Sequence, residues 1–194
     1  GRVTTNGAVT GRATHQSPNI AQCPGVNAPY GRECRSLFTA PEGRVLLGFD
    51  ASGLELRCLA HYMSRWDDGA YGEEILNGDI HTANQKAAGL ETRNQSKTFI
   101  YALIFGAGNA KIGSIVGGDE KKGSYLKRKF LEAVPAIKKL SNSVKKKSDA
   151  GYLYGLDGRK IHVRSQHSAL NTLLQGAGAA ICKQMIVEMD ALFK

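Results

Sequence analysis

Apolar positions change their spacing along this chain, and each change marks a predicted element. Val45, Leu46, Leu47, Gly48 and Phe49 form a nearly continuous apolar run, which predicts a buried strand over residues 44–50 ending in Asp50. The spacing then lengthens. Leu54, Leu56, Leu59, Ala60 and Met63 predict a helix leaving that strand, with Gly69 and Gly72 interrupting it. Asp79 is suited to cap a helix running to Ala88, with Gly89 as its stop. Thr92 caps the next, from Arg93 to about Leu103, before Gly106 and Gly108. Basic amphipathic helices are predicted at Ser124–Ala133 and from Pro135 to Lys147, since proline is accepted in a first turn. Tyr152–Arg164 reads as a hairpin about Asp157-Gly158, and a last helix runs from about Ser168 to Leu192. Residues 1–43, broken by glycines and by Pro18, Pro24, Pro29 and Pro41, read as turn-rich.

Long helices with few strands predict an α+β chain that is mostly helical. The strand bearing Asp50 needs sheet partners; the hairpin supplies one pair, and the others are expected outside the chain. With 194 residues, 42% of them apolar, one large domain or two closely joined lobes can be built, and disorder is excluded. The balance of 26 basic to 17 acidic residues gives a formal charge of +9 and favours a polyanionic partner. Much of the excess lies between Lys121 and Lys147. The four cysteines form no C-x-x-C pair, so reduced thiols in a cytoplasm are expected rather than zinc or disulfides. No stretch approaches the roughly 18 apolar residues that a membrane span needs, so no membrane partner is expected.

Two motifs carry chemistry. Asp50 follows the apolar run, where a rigid element could aim a carboxylate at Mg²⁺, with the carbonyl of Ala51 as a further oxygen. The bland alternative is an aspartate capping the following helix. Glu55 lies one turn on and needs a partner if buried, Arg57 or a neighbouring tyrosine. The second motif is Arg93-x-x-x-Lys97-x-x-x-Tyr101-x-x-x-Phe105-Gly106. Its i, i+4 spacing places two cations and two rings on one helix face. Arg93 and Lys97 can grip a triphosphate, Tyr101 offers a ring to a sugar or base, and His81 adds a phosphate contact. The alternative is an ordinary solvated basic face over a packed aromatic. Arg12, between small residues in an open loop, could reach a minor groove. Asn171 and Gln175 are either amides reading base or sugar edges or plain helix-surface amides. The basic pair Arg159-Lys160 adds to an electrostatic DNA contact.

These residues occur in a known order. Thr10-Gly11-Arg12, Asp50-x-Ser52-x-x-Glu55-Leu56-Arg57, Asp79-Ile80-His81, Arg93-x-x-x-Lys97-x-x-x-Tyr101 and Asn171-x-x-x-Gln175-Gly176 resemble family A DNA polymerases, the DNA polymerase I type. Asn6–His15 and Gly155–Lys160 look most like the replicative polymerases of short-tailed bacteriophages. The resemblance implies an incomplete right-hand polymerase fold, an α-rich fingers subdomain with part of a palm antiparallel sheet. By this resemblance residues 1–64 are partial palm, 65–150 fingers, and 151–194 a hairpin and helix returning to the palm. It implies two-metal transfer of deoxynucleotides to a primer 3′-hydroxyl, with Mg²⁺ as cofactor and primer–template DNA and deoxynucleoside triphosphates as partners. Asp50 then resembles the first metal-binding aspartate, and Glu55 the residue crowding a ribose 2′-hydroxyl. Arg93, Lys97, Tyr101 and His81 resemble the triphosphate and sugar contacts. Arg12 resembles a primer-end contact, and Asn171 with Gln175 contacts near the nascent pair and template.

The departures are specific. Phe105 and Ala102 stand where the family usually has tyrosine and glycine. The family's second aspartate, in a His-Asp-Glu strand, has no counterpart, and Glu188 and Asp190 read as solvated helix residues. The chain is therefore expected to be an internal segment, inactive alone and completed by the remaining polymerase segments. A single-subunit RNA polymerase is the nearest enzymatic rival, and a non-catalytic DNA-binding module the rival from another class.

Overall fold

A computed structural model describes residues 1–193. The chain divides into two compact units, Gly1–Ser52 and Gly53–Lys194. In the first, strand β1 (Arg2–Thr4) pairs antiparallel with β2 (Thr14–Gln16), Val3 lying opposite His15. A 3₁₀ turn at Ile20–Gln22 and helix α1 (Gly31–Ser36) follow.

The strand expected at residues 44–50 does not form; that segment has no regular structure and is exposed throughout. Val45 is 77% exposed and Phe49 58%. A strand exists only through a ladder to a neighbour, and the sheets among the described residues are two separate two-stranded hairpins. The apolar run thus has neither a ladder nor a cover, and Asp50 sits in open coil rather than at a strand end.

The second unit holds helices α2 (Leu54–Asp67), α3 (Ala70–Asn77), α4 (Ile80–Ala88) and α5 (Arg93–Ile104). They are followed by α6 (Asn109–Ser114), α7 (Glu120–Ala133) and α8 (Pro135–Ser148). Strands β3 (Tyr152–Tyr154) and β4 (Lys160–His162) pair antiparallel, and α9 (Ala169–Leu192) closes the chain. Leu153 and Ile161 face each other in the hairpin, and both are buried.

Local chemistry explains most boundaries. The Asp79 carboxylate accepts from the His81 backbone N–H and starts α4, and Gly89, at φ +69°, ends it in the left-handed region that glycine tolerates. Thr92 and Gln95 form a reciprocal capping box at the start of α5. The predicted interruption at Gly72 is wrong. The break comes at Asp68 and Gly69, where the Asp67 carboxylate accepts from the N–H groups of Gly69 and Tyr71 and begins α3, with Gly72 inside that helix. Helix α7 also starts four residues earlier than its apolar spacing suggests, because Asp119 caps it through the Lys122 N–H.

The core gathers one stripe from each long helix. Phe99 of α5 meets Phe130 of α7 edge-on, with centroids 5.2 Å apart, and both are fully buried. Leu56, Leu59 and Met63 of α2, Ile137 and Leu140 of α8, and Leu174 of α9 complete it. Helices α6 and α7 approach each other through glycine. A Cβ on Gly123 would lie 1.9 Å from the Asn109 carbonyl oxygen, and one on Gly113 1.9 Å from that of Asp119.

Gly123→Ala therefore tests which effect wins. Helix propensity alone would favour alanine by about 1 kcal/mol. The backbone contact instead demands that two helices part, an overpacking cost of roughly 1–3 kcal/mol or more. A net loss of stability in denaturant unfolding is expected; a gain would show that α6 yields freely.

Candidate functional site

The second unit brings four of the singled-out residues to one surface. In α5 the face with Ser96, Phe99, Ile100 and Ile104 is buried. Arg93 and Lys97 are exposed along the edge of that face, Tyr101 beside them is half-buried, and Phe105 caps the helix, exposed. The Tyr101 and Phe105 rings lie 6.0 Å apart at a tilt of 36°. The side of α5 that carries chemistry is therefore set by the side that packs.

Asp79 organises the start of this face. Arg93 donates to it twice, from Nε to Oδ2 at 2.7 Å and from a terminal nitrogen to Oδ1 at 3.1 Å. The Thr82 hydroxyl donates to Oδ2 at 2.8 Å and the His81 N–H to Oδ1 at 3.1 Å. The hydrogen bond from Arg93, then that from Thr82, holds the Asp79 carboxyl far below the usual carboxylate range. Reciprocally, its bond to Asp79 raises the Arg93 guanidinium. Both side chains are nearly half exposed, at 46% and 42%, so solvent screens the attraction and the pair acts mainly by geometry.

His81 is the third member of the cluster. Partial burial first, then the nearby charges of Arg93 and Lys97, push its pKa below the ordinary 6.5. Its Nδ1 is shielded from solvent and has no hydrogen-bond partner among the described residues. The imidazole is thus a neutral group beside two cations, ready to take a proton if an anion arrives between them.

Glu55, half-buried near the start of α2, lies close enough to Tyr101 for its charge to add to burial in raising the tyrosine pKa. The ring that Tyr101 offers is thereby bordered by a carboxylate. Behind it, the buried Tyr71 hydroxyl bonds Asn84, donor and acceptor exchanging at 2.8 and 3.3 Å. Asn171 and Gln175 stand half-buried on α9, and the Asn171 Oδ1 is shielded without a hydrogen-bond partner among the described residues.

Other singled-out residues are not part of this cluster. Arg159 is engaged locally by Asp157, at 3.1 Å across the hairpin turn. Lys160 lies over the Tyr152 ring, 4.4 Å from its centroid. Arg12, Asp50 and Ala51 belong to the first unit, where Arg12 and Asp50 are exposed and Ala51 half-buried. Among the described residues no group of three or more His, Cys, Asp and Glu side chains could hold a metal ion. Asp50 is a lone exposed carboxylate, so the donors present do not make a divalent-ion site on their own. The sequence reading missed the second job of Asp79. It was legible only as a cap, because its partner Arg93 is 14 residues away.

The chain matches the sequence profile of DNA polymerase family A over residues 1–194. It is 53% identical over 215 aligned residues to the DNA-directed DNA polymerase of Enterobacteria phage T3, covering 99% of this chain and 30% of that protein. The identity and coverage are the same for the DNA-directed DNA polymerase of Escherichia phage T7. The chain thus spans about 30% of the length of these curated relatives. Its fold is similar to part of the POL domain of Pol1 from M. smegmatis, a structure solved in complex with DNA primer–template and dNTP. That match has a TM-score of 0.83 at 20% identity and covers 98% of this chain and 37% of the other.

The His81 environment gives a direct measurement. An NMR titration should place its midpoint below 6.5, and Lys97→Ala should move it upward by removing one neighbouring charge. Because the folded pKa is depressed, His81 favours the folded state above the ordinary histidine range, and that contribution is lost as pH falls through the lowered value. A midpoint at or above 6.5 would contradict the cluster.

Proposed function

The chain belongs to DNA polymerase family A, and from that premise we propose that it forms the triphosphate-gripping part of a template-directed DNA polymerase. The observation that carries this reading is the two-sided α5. Its buried stripe fixes the helix, and its outer face carries Arg93, Lys97, Tyr101 and Phe105 in order, with His81 joining from α4. In this reading residues 65–150 are the fingers, and 1–64 and 151–194 contribute to the palm.

Arg93 has five N–H donors, and its two bonds to Asp79 leave three for phosphate oxygens. Asp79 orients the guanidinium before the nucleotide arrives, and Lys97 adds a point charge one turn further on. A triphosphate between them would favour protonation of His81, adding a third cation as charge is brought in. The sugar and base then meet the Tyr101 ring, whose Glu55 border disfavours a ribose 2′-hydroxyl. That last feature favours deoxynucleotides over the ribonucleotides of an RNA polymerase. Arg12, Phe105, Asn171, Gln175, Arg159 and Lys160 are assigned to the primer–template. The net charge of +9 suits that polyanion.

Phosphoryl transfer of this kind calls for two divalent ions held by carboxylates, Mg²⁺ being the expected one. Asp50 offers one carboxylate, and the described residues do not fit the complete group. No step of the reaction is therefore assigned to metal on this chain.

Two measurements follow. Calorimetric binding of a deoxynucleoside triphosphate to the chain should weaken about tenfold or more in Lys97→Ala, since a charged hydrogen bond is worth roughly 1.5–3 kcal/mol. Unchanged affinity would remove α5 as the triphosphate site. Primer extension by the purified 194-residue chain with Mg²⁺ and all four deoxynucleotides should be absent. Robust extension would show that its own acids complete the metal site.

A further inference from the structure

A cavity of about 620 Å³ opens between α2, α8, the β3–β4 hairpin and α9, and no residue of α5 lines it. Its walls carry the large rings of Tyr62, Trp66, Tyr152 and Tyr154 and the imidazole of His61. Tyr152 and Tyr154 meet edge-on with centroids 5.5 Å apart, and Tyr154 is 61% exposed. Cations sit among these rings. The Arg65 guanidinium lies 4.1 Å from the Trp66 centroid, and the Lys160 ammonium 4.4 Å from that of Tyr152. Lys147, last of three consecutive lysines at the end of α8, also lines the cavity, and no Asp or Glu does.

Tyr62 supplies a second, independent observation. Its hydroxyl is shielded from solvent and has no hydrogen-bond partner among the described residues. A shielded, unpaired hydroxyl costs free energy, which an acceptor recovers only when the Tyr62 side chain turns its hydroxyl into the cavity that it lines. Burial, the largest cause, with smaller contributions from Cys58 and Asp157, pushes its pKa up to about 12, so it stays a protonated donor.

We propose that this cavity binds single-stranded DNA, with bases against its rings and phosphates against Arg65 and Lys147. The cavity presents rings and cations together, and each nucleotide carries one ring and one charge. A single strand uses both sets of groups at every repeat. An acidic peptide engages the cations but fills four rings only if aromatic residues recur along it. Base–aromatic stacking with a basic groove is the general mode of sequence-tolerant strand binding. The absence of a lining carboxylate removes the repulsion that an acidic wall would impose on phosphate.

Trp66 is the only tryptophan in the chain, so the intrinsic tryptophan signal comes from a ring that lines this cavity. Titrating the chain with a thymidine octanucleotide should quench its fluorescence saturably. Log affinity should fall against log salt with a slope of about −0.7 for each phosphate engaged. An octamer with the same phosphates but abasic sites should bind at least tenfold more weakly, because stacking is lost. Tyr154→Ala, at an exposed position, should weaken the octamer about tenfold, and Lys147→Ala should reduce the salt slope by about 0.7. Lys97→Ala should change neither, which separates this site from the triphosphate reading. Circular dichroism confirms that each variant is folded, and the abasic comparison needs no variant. Equal affinity for the abasic octamer, loss of quenching in Lys97→Ala, or tighter quenching by an aromatic acidic octapeptide would overturn the proposal.

Discussion

The rotation of α5 about its own axis is the constraint on which the site depends. A helix of 12 residues is marginal alone, so packing rather than propensity holds it. Phe99, Ile100 and Ile104 are fully buried, and each such side chain contributes roughly 1.5–3 kcal/mol relative to exposure. Turning α5 by one residue would swing this stripe toward water and bring Lys97 into the core. No surface ion pair could offset that. The apolar stripe therefore decides which four positions look outward.

Electrostatics then works within the frame that packing sets. Asp79 stands at the start of α4, where the helix dipole favours an anion. Arg93 opens α5, where the dipole disfavours a cation. Their pairing resolves that conflict and ties the two helix starts together. The pair serves the site mostly by holding a fork in position, since its exposure leaves little for stability.

What the sequence made legible was local. Asp79 and Thr92 as caps, Gly89 as a stop, Pro135 in a first turn and the Asp157-Gly158 hairpin each depend on residues within four positions. The i, i+4 spacing from Arg93 to Phe105 was readable for the same reason, and with it the side of α5 on which these residues lie together. What stayed hidden was decided across distance. The Asp79–Arg93 pair spans 14 residues, and no periodicity announces it. Short α6 has too few residues to show a period, and its glycine contact with α7 is purely tertiary. The apolar run at 44–50 was read as a strand because composition favours one. A strand is settled by its neighbours, and residues 44–50 find none.

The two anion-receptive surfaces of the second unit differ in the shape of charge that they suit. Along α5, cations one turn apart are separated by about 6 Å of helix rise, a spacing for compact charge gathered on adjacent phosphates. Nothing there repeats: beyond Lys97 the face turns aromatic, so the array has a charged end and a ring end. That polarity matches a nucleotide, which also has one of each. Around the cavity between α2, α8 and the hairpin, cations lie directly on ring faces at Trp66 and Tyr152. There charge and ring are interleaved rather than separated, an arrangement without direction. A ligand that fits it must repeat both features along its length, and a strand does so where a free nucleotide does not.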